Sequence, residues 1–315
     1  MQIVVLDAKT LKVEELDLSP WRALGTLSLY DRTDPLLVPQ RLRGADIVLT
    51  NKVRLDARAL QGAPALKMVG VLATGYDVVD VAAARALNIP VCNVPGYATG
   101  AVTESVFGFL LEMTRRTAHN TCRIRQGAWT GCPEFCWWDQ APLGLEGRTL
   151  GVVGCGAIGS RVAAVGLAFG MRVLGYARHP HPEFPGRQVP LEELLKQADV
   201  ISLHCPATPE NTGFIHAGTI ERMKDGVLLI NTARGSLVVE GDVAAALISG
   251  KLGAYGADVV SREPMDVHNP LLKAPNCYLT AHSAWATVDA RQRIVDVTGE
   301  SIRAALAGKP VNLVN

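Results

Sequence analysis

Three glycines, Gly154, Gly156 and Gly159, stand at G-x-G-x-x-G spacing directly after the apolar run Leu150–Val153 and directly before a helix-prone stretch. That order suits a dinucleotide. Gly154 permits a tight turn, Gly156 lets the backbone approach a pyrophosphate, and Gly159 lets helix pack on strand. The helix start at Ala157 and Ile158 offers N–H groups to the phosphates. A site for an unphosphorylated ribose usually carries an acid about twenty residues further on, accepting from both hydroxyls. Here the segment reads Val173-Leu174-Gly175-Tyr176-Ala177-Arg178-His179, and no Asp or Glu occurs between Arg161 and Glu183. With Ala177 in the acidic slot and Arg178 and His179 beside it, repulsion toward a 2′-phosphate is removed and positive partners are offered. The cofactor expected is NADP(H), with NAD(H) second.

Positioning such a site takes a layered scaffold. Apolar runs at Ile3–Leu6, Leu27–Tyr30, Ile47–Thr50, Met68–Leu72 and Val91–Val94 alternate with helical patterns, one of them expected over Asp77–Leu87. A second series runs from Leu150 through Val173–Tyr176, Val200–Leu203, Val227–Asn231, Gly253–Asp258 and Cys277–Thr280, with helices expected at Ile158–Phe169, Leu191–Gln197, His216–Met223 and Val239–Ile248. Such β-α-β series build mostly parallel sheets covered on both faces. A long apolar-striped helix, Ala101–Arg116, lies between the series, and Val288–Leu306 follows the second and is expected to return to the first domain. The expectation is an α/β protein of two Rossmann-like, doubly wound parallel-sheet domains with an active-site cleft between them. Residues 1–96 plus 288–315 would form a flavodoxin-like substrate domain and 97–287 the dinucleotide-binding domain.

Further segments, in order, are Leu72-Ala73-Thr74-Gly75-Tyr76-Asp77-Val78-Val79-Asp80 with Asn93-Val94-Pro95-Gly96, Asn231-Thr232-Ala233-Arg234-Gly235, Asp258-Val259-Val260-Ser261-Arg262-Glu263-Pro264, and Thr280-Ala281-His282. With the glycine fingerprint between the first and second, this series resembles the D-isomer-specific 2-hydroxyacid dehydrogenases over nearly the whole chain, and is most similar to their glycerate dehydrogenase and hydroxypyruvate (glyoxylate) reductase branch. The resemblance implies reversible, NAD(P)H-dependent reduction of a small 2-keto acid, glyoxylate or hydroxypyruvate, to glycolate or D-glycerate. It implies Arg234, Glu263 and His282 as the catalytic trio and Ala73, Thr74 and Gly75 in the loop that holds the substrate carboxylate. Thr74, Thr232, Ala233, Pro206 and Thr212 become cofactor contacts, and Asp258 falls where the family binds the nicotinamide carboxamide.

The residue types suit that chemistry. Reduction of a keto acid needs a proton for the developing alkoxide, and histidine titrates in the right range. His282 stands just past an apolar strand, at the edge where α/β sheets place ligands. A carboxylate on the imidazole fixes its tautomer and favours the protonated ring, which is the role expected of Glu263. The Arg234 guanidinium can grip carboxylate and keto oxygens together. Trp285, three residues past His282, is a candidate wall of the substrate pocket, and His204 is read as structural.

One departure from the family is Ala281, where many relatives carry proline. Trp129, Phe135, Trp137 and Trp138 cluster in a loop-like arm at about 117–147. In resembling dimeric reductases that region embraces the partner subunit, sometimes bringing a tryptophan to its active-site mouth, so a homodimer with Trp138 near the partner is expected. The 315 residues suit two domains, and 31 basic against 30 acidic residues provide no field for nucleic acid or a membrane surface. Seven scattered cysteines without a C-x-x-C pair read as reduced and cytoplasmic, and no metal is expected. A D-3-phosphoglycerate dehydrogenase-like enzyme is the runner-up, though no regulatory domain follows Pro310. A non-catalytic dinucleotide-sensing protein would need partner-binding extensions or a basic surface, and neither is evident.

Overall fold

Short apolar strands joined by helical crossovers can pair in parallel, because each crossover returns the chain to the same end of the sheet. The computed structural model describes all of residues 1–315 and builds two such sheets. The chain divides into two units, Met1–Ala98 with Trp285–Asn315, and Thr99–Ala284.

In the first unit β1 (Gln2–Val5), β2 (Thr26–Leu29), β3 (Ile47–Thr50), β4 (Met68–Val71) and β5 (Val91–Cys92) form one parallel sheet in the order β2-β1-β3-β4-β5. Strands β3 and β4 are buried at every position, as covering on both faces demands. Helices α1 (Ser19–Arg22), α2 (Val38–Leu42), α3 (Ala57–Gln61) and α4 (Val81–Ala86) supply the layers. Helix α4 starts four residues later than the expected Asp77. Leu55 donates to Val78 O and accepts from Asp80 N (2.8 and 2.9 Å), which holds this stretch extended, and the Asp80 carboxylate then caps Ala83 N at 2.9 Å. The last helix, Val288–Leu306, belongs to this unit. The fully buried Trp21 indole donates to Val295 O at 2.9 Å, and the buried Arg291 guanidinium donates to Leu11 O at 2.7 Å.

The second unit opens with α5 (Thr99–Arg115) and α6 (Thr117–Arg125), separated at Arg116 by a left-handed backbone (φ +52°). The start of the arm, expected as loop, is thus helical; α6 buries none of its residues and so carries no apolar stripe to announce it. Then follow β6 (Thr149–Val153), α7 (Ala157–Ala168), β7 (Arg172–Tyr176), β8 (Arg187–Gln188), α8 (Leu191–Gln197), β9 (Val200–Leu203), α9 (Ala217–Glu221), β10 (Val227–Asn231), α10 (Glu240–Ser249), β11 (Leu252–Ala257) and β12 (Cys277–Leu279). The sheet order is β12-β11-β10-β9-β6-β7-β8, parallel throughout. The edge strand β8 is an addition to the expected set; it is an exposed Arg-Gln pair with no apolar signal. Helix α5 lies directly on β11, since a Cβ at Gly256 would come within 2.6 Å of Met113 Cε. No helix is long and apolar enough to cross a membrane.

The Trp21 contact ties the N-terminal segment to the last helix. Trp21→Ala should destabilise this unit by about 3–5 kcal/mol, the range for removing a fully buried aromatic. Denaturant unfolding followed by near-UV circular dichroism measures it, and a loss below about 1 kcal/mol would contradict the assignment.

Candidate active site

Strand order reverses around β6, with β7 on one side and β9 on the other, and ligands of open α/β sheets bind outside the strand carboxyl ends at such a point. A cavity of about 560 Å³ opens there. Gly154 and Gly156 line it after β6, Ala177, Arg178 and His179 after β7, and Cys205 and Pro206 after β9.

The glycine backbone passes close against its neighbours. Gly154 has φ +102°, and a Cβ there would sit 2.6 Å from His204 C; a Cβ at Gly159 would lie 1.9 Å from Gly154 O. A Cβ at Gly156 would meet nothing within 4 Å, leaving the space a phosphate needs before the N-terminus of the twelve-residue α7. Thr232 Oγ1, after β10, is buried without a hydrogen-bond partner. These features fit a dinucleotide.

Thr212 does not line this cavity. Its hydroxyl donates to Thr208 O at 3.1 Å and closes the loop whose Thr208, Glu210 and Asn211 do line it. His181 and Glu210 were missed by sequence reasoning, since both lie in loops whose path no periodicity reveals. The Glu210 carboxyl is held below the usual range, first by the Thr208 hydroxyl and further by the Arg178 charge.

Arg234 is set by the end of β10. The fully buried Asn231 accepts from Ala233 N (3.0 Å) and donates to Arg234 O (2.9 Å), while Arg234 Nη1 donates to Ala233 O at 2.8 Å. Gly235 must follow, because a Cβ there would lie 2.0 Å from the carbonyl of Val260. His282 is set by Asp258, at the end of β11. The His282 N–H donates to Asp258 O (2.7 Å), and the buried Asp258 carboxylate accepts from Thr280 Oγ1, Ser283 N and Ala284 N at 2.6, 2.8 and 2.9 Å. This holds His282 in left-handed backbone, φ +52°, a conformation uncommon outside glycine. Its Nδ1 lies 2.6 Å from Glu263 Oε2, and Glu263 Oε1 accepts from Val260 N at 3.3 Å. The carboxylate on Nδ1 fixes the orientation of the ring.

The loops carrying Arg234, Glu263 and His282 are thus brought together at one sheet edge of the second unit. Ala73, Thr74 and Gly75 lie in the first unit after β4, where Thr74 Oγ1 donates to Val94 O and Asn93 Nδ2 to Thr74 O (2.9 and 2.7 Å). Trp285 belongs to that unit too and packs edge-on against Tyr97, with ring centroids 6.2 Å apart. His204 lines the cavity after β9 and pairs through Nε2 with Ser202 Oγ at 2.8 Å.

The model of the D-isomer specific 2-hydroxyacid dehydrogenase NAD-binding domain matches residues 107–284. The chain is 42% identical, over all of both proteins, to the hydroxypyruvate reductase of Blautia hydrogenotrophica. It is 40% identical to the glycerate dehydrogenase of Methylorubrum extorquens, covering 90% of each. Among solved structures, the TT0316 protein of Thermus thermophilus superposes with a TM-score of 0.86 at 34% identity, covering 100% of both chains.

Burial pushes the His204 pKa down to about 3, well below that of an imidazole in the unfolded chain. The unfolded state then binds more protons between about pH 6.5 and 3, so stability falls as pH falls. His204→Asn should flatten that dependence by about 0.5–1.4 kcal/mol per pH unit, the lower end reflecting water that reaches a partly exposed residue. Unfolding midpoints at pH 7, 6 and 5 test it; parallel slopes for variant and wild type would refute it.

Proposed function

The chain belongs to the D-isomer specific 2-hydroxyacid dehydrogenase family, and from that premise we propose that it reduces hydroxypyruvate and glyoxylate to D-glycerate and glycolate, reversibly. The observation that carries the reading is the pairing of His282 Nδ1 with Glu263 at 2.6 Å, beside the Arg234 loop and beyond a glycine turn built for a dinucleotide. A nicotinamide dinucleotide held at the Gly154–Gly159 turn would supply the hydride for C2. Arg234 grips the substrate carboxylate and polarises the keto oxygen, fixing the face presented. Glu263 holds Nδ1 and so fixes the tautomer of His282, and His282 Nε2 gives its proton to the developing alkoxide. In the reverse direction the same nitrogen takes the hydroxyl proton.

His282→Ala should lower kcat by at least a hundredfold, the scale of a lost proton donor, and leave the cofactor Kd within about twofold. Initial rates with hydroxypyruvate, glyoxylate and pyruvate check both points. Turnover of the variant within tenfold of wild type, or pyruvate as the preferred substrate, would refute the reading.

The cofactor we assign is NADP(H), with NAD(H) second. Ala177 leaves no acid at the end of β7, and Arg178, His179 and His181 line the same cavity. Glu210, the single acid of that lining, offsets part of this positive field, so the preference is graded rather than absolute. Ala177→Asp restores acceptors for the ribose hydroxyls and opposes a 2′-phosphate. It should move the NADPH/NADH ratio of kcat/KM toward NADH by about 1–3 kcal/mol, while Arg178→Ala should weaken NADPH alone. A wild type preferring NADH tenfold, with NADPH KM unchanged in Arg178→Ala, would refute it.

We also propose a cytoplasmic homodimer, formed through the arm 117–147. Trp129, Trp138 and Phe135 there are 46%, 56% and 90% exposed on the single chain, more aromatic surface than a monomer usually leaves to water. The seven unpaired thiols agree with a reducing compartment.

A further inference from the structure

Glu263 stands in an exposed loop, yet it must meet His282 within a few tenths of an ångström to be of use. The loop is clamped at both ends by one carboxylate that has no part in the reaction described above. Glu240, the first residue of α10, accepts at Oε1 from Ser261 N (2.7 Å) and at Oε2 from Ser261 Oγ (2.8 Å) and Asn269 Nδ2 (2.8 Å). Ser261 lies two residues before Glu263. Asn269 is buried, and its own Oδ1 caps the turn Pro270–Lys273 through Leu271 N at 3.0 Å. Between the two anchors Arg262 pairs with Asp266 at 3.0 Å.

The same carboxylate belongs to the segment that carries Arg234. From Arg234 the chain passes through Gly235, pressed against the Val260 carbonyl, and reaches Glu240 at the start of α10. The loop after β10 and the loop after β11 therefore touch twice, once through backbone at Gly235 and Val260 and once through Glu240. We propose that Glu240 is a positioning residue, holding the loop of Glu263 against the loop of Arg234 so that Glu263 meets the His282 ring. The proposal rests on the reading of Glu263 and His282 as the acid–base pair. A charge at the first turn of a helix also complements the helix dipole, and that alternative predicts an effect on stability alone.

The test compares wild type, Glu240→Ala, Glu240→Gln, Ser261→Ala, Glu263→Gln and the double variant Glu240→Ala/Glu263→Gln. The measurements are the pH profile of kcat for hydroxypyruvate reduction and the cofactor Kd from fluorescence quenching. Reduction needs the protonated imidazole, so Glu263→Gln should move the alkaline limb of the profile to lower pH. Glu240→Ala should move it in the same direction and lower kcat at pH 8 by about tenfold, a modest misplacement of a catalytic group. Glu240→Gln keeps an oxygen for Ser261 N and should retain kcat within about threefold. Ser261→Ala deletes a single bond, should fall between, and keeps the test open should Glu240→Ala fail to fold. The double variant should be no worse than Glu263→Gln within about twofold, since coupled residues are not additive. Cofactor Kd should stay within twofold throughout. An unmoved limb in Glu240→Ala and Ser261→Ala, or losses that multiply in the double variant, overturns the role of Glu240 while leaving the pair intact. An unmoved limb in Glu263→Gln itself overturns the pair, and the role of Glu240 with it.

Discussion

The geometry of the loop that carries His282 depends on one buried carboxylate. Asp258 ends β11, and the loop after the neighbouring strand β12 folds over it: a hydroxyl and two amides converge on the side chain, while its carbonyl takes the His282 N–H. A left-handed histidine is costly by itself, on the order of 1 kcal/mol, and persists only where several bonds over-determine it. Four do so here. Were Asp258 apolar, two N–H groups and a hydroxyl would lose their acceptor; the buried Ala284 N–H alone would cost about 1–3 kcal/mol, and the turn would rearrange rather than bear it. The family resemblance reads Asp258 as a contact for the cofactor carboxamide. Its carboxylate also has this task, complete before any ligand arrives.

Around that turn the sheet does the remaining positioning. Parallel strands deliver every carboxyl end to one edge, so Gly154, Ala177, Arg234, Asp258 and His282 share an edge although 128 residues of sequence separate the first from the last. Close backbone packing then fixes height as well as direction. Gly159 against Gly154 and Gly235 against Val260 each leave no room for a methyl group, and each lies beside a loop whose placement sets the chemistry.

Much of this was legible in the residues. The strands were legible because a parallel strand buried on both faces is mostly apolar, and Ile47–Thr50 and Val200–Leu203 signal themselves. The glycine turn was legible because only glycine tolerates such contacts. What escaped notice had no apolar signature: β8, two exposed residues, and α6, which buries nothing. The late start of α4 was hidden because Val78 and Val81 suit a helical face, while the bonds to Leu55 that keep the preceding residues extended come from far away in sequence. In the site, sequence offered His282, Glu263 and Arg234 but could not offer Glu240 or Asn231. A glutamate at a helix start and an asparagine at a strand end are each adequately explained by capping and turn chemistry, and only the tertiary fold reveals what they hold.

The first unit solves the same problem in the same way, which argues that the solution follows from the architecture. Asp7, just past β1, is buried, and its carboxylate accepts from the N–H groups of Asn51, Lys52 and Val53 after the adjacent strand β3, the shortest at 2.6 Å. Parallel pairing satisfies backbone groups along the strands but leaves those of the carboxyl-edge loops without partners as the chain turns away. An acid at the end of one strand reaches the loop of the next and gathers two or three of them. The arrangement is not free: burial raises the Asp7 pKa even though all three N–H donors and Lys52 pull it down. Desolvation thus exceeds the hydrogen bonds for the charge itself, so Asp7 gains its place from the three amides it satisfies and not from the stability of its own ion. By the same logic Asp258 and Asp7 are expected to tolerate substitution least where the loops they gather carry chemistry.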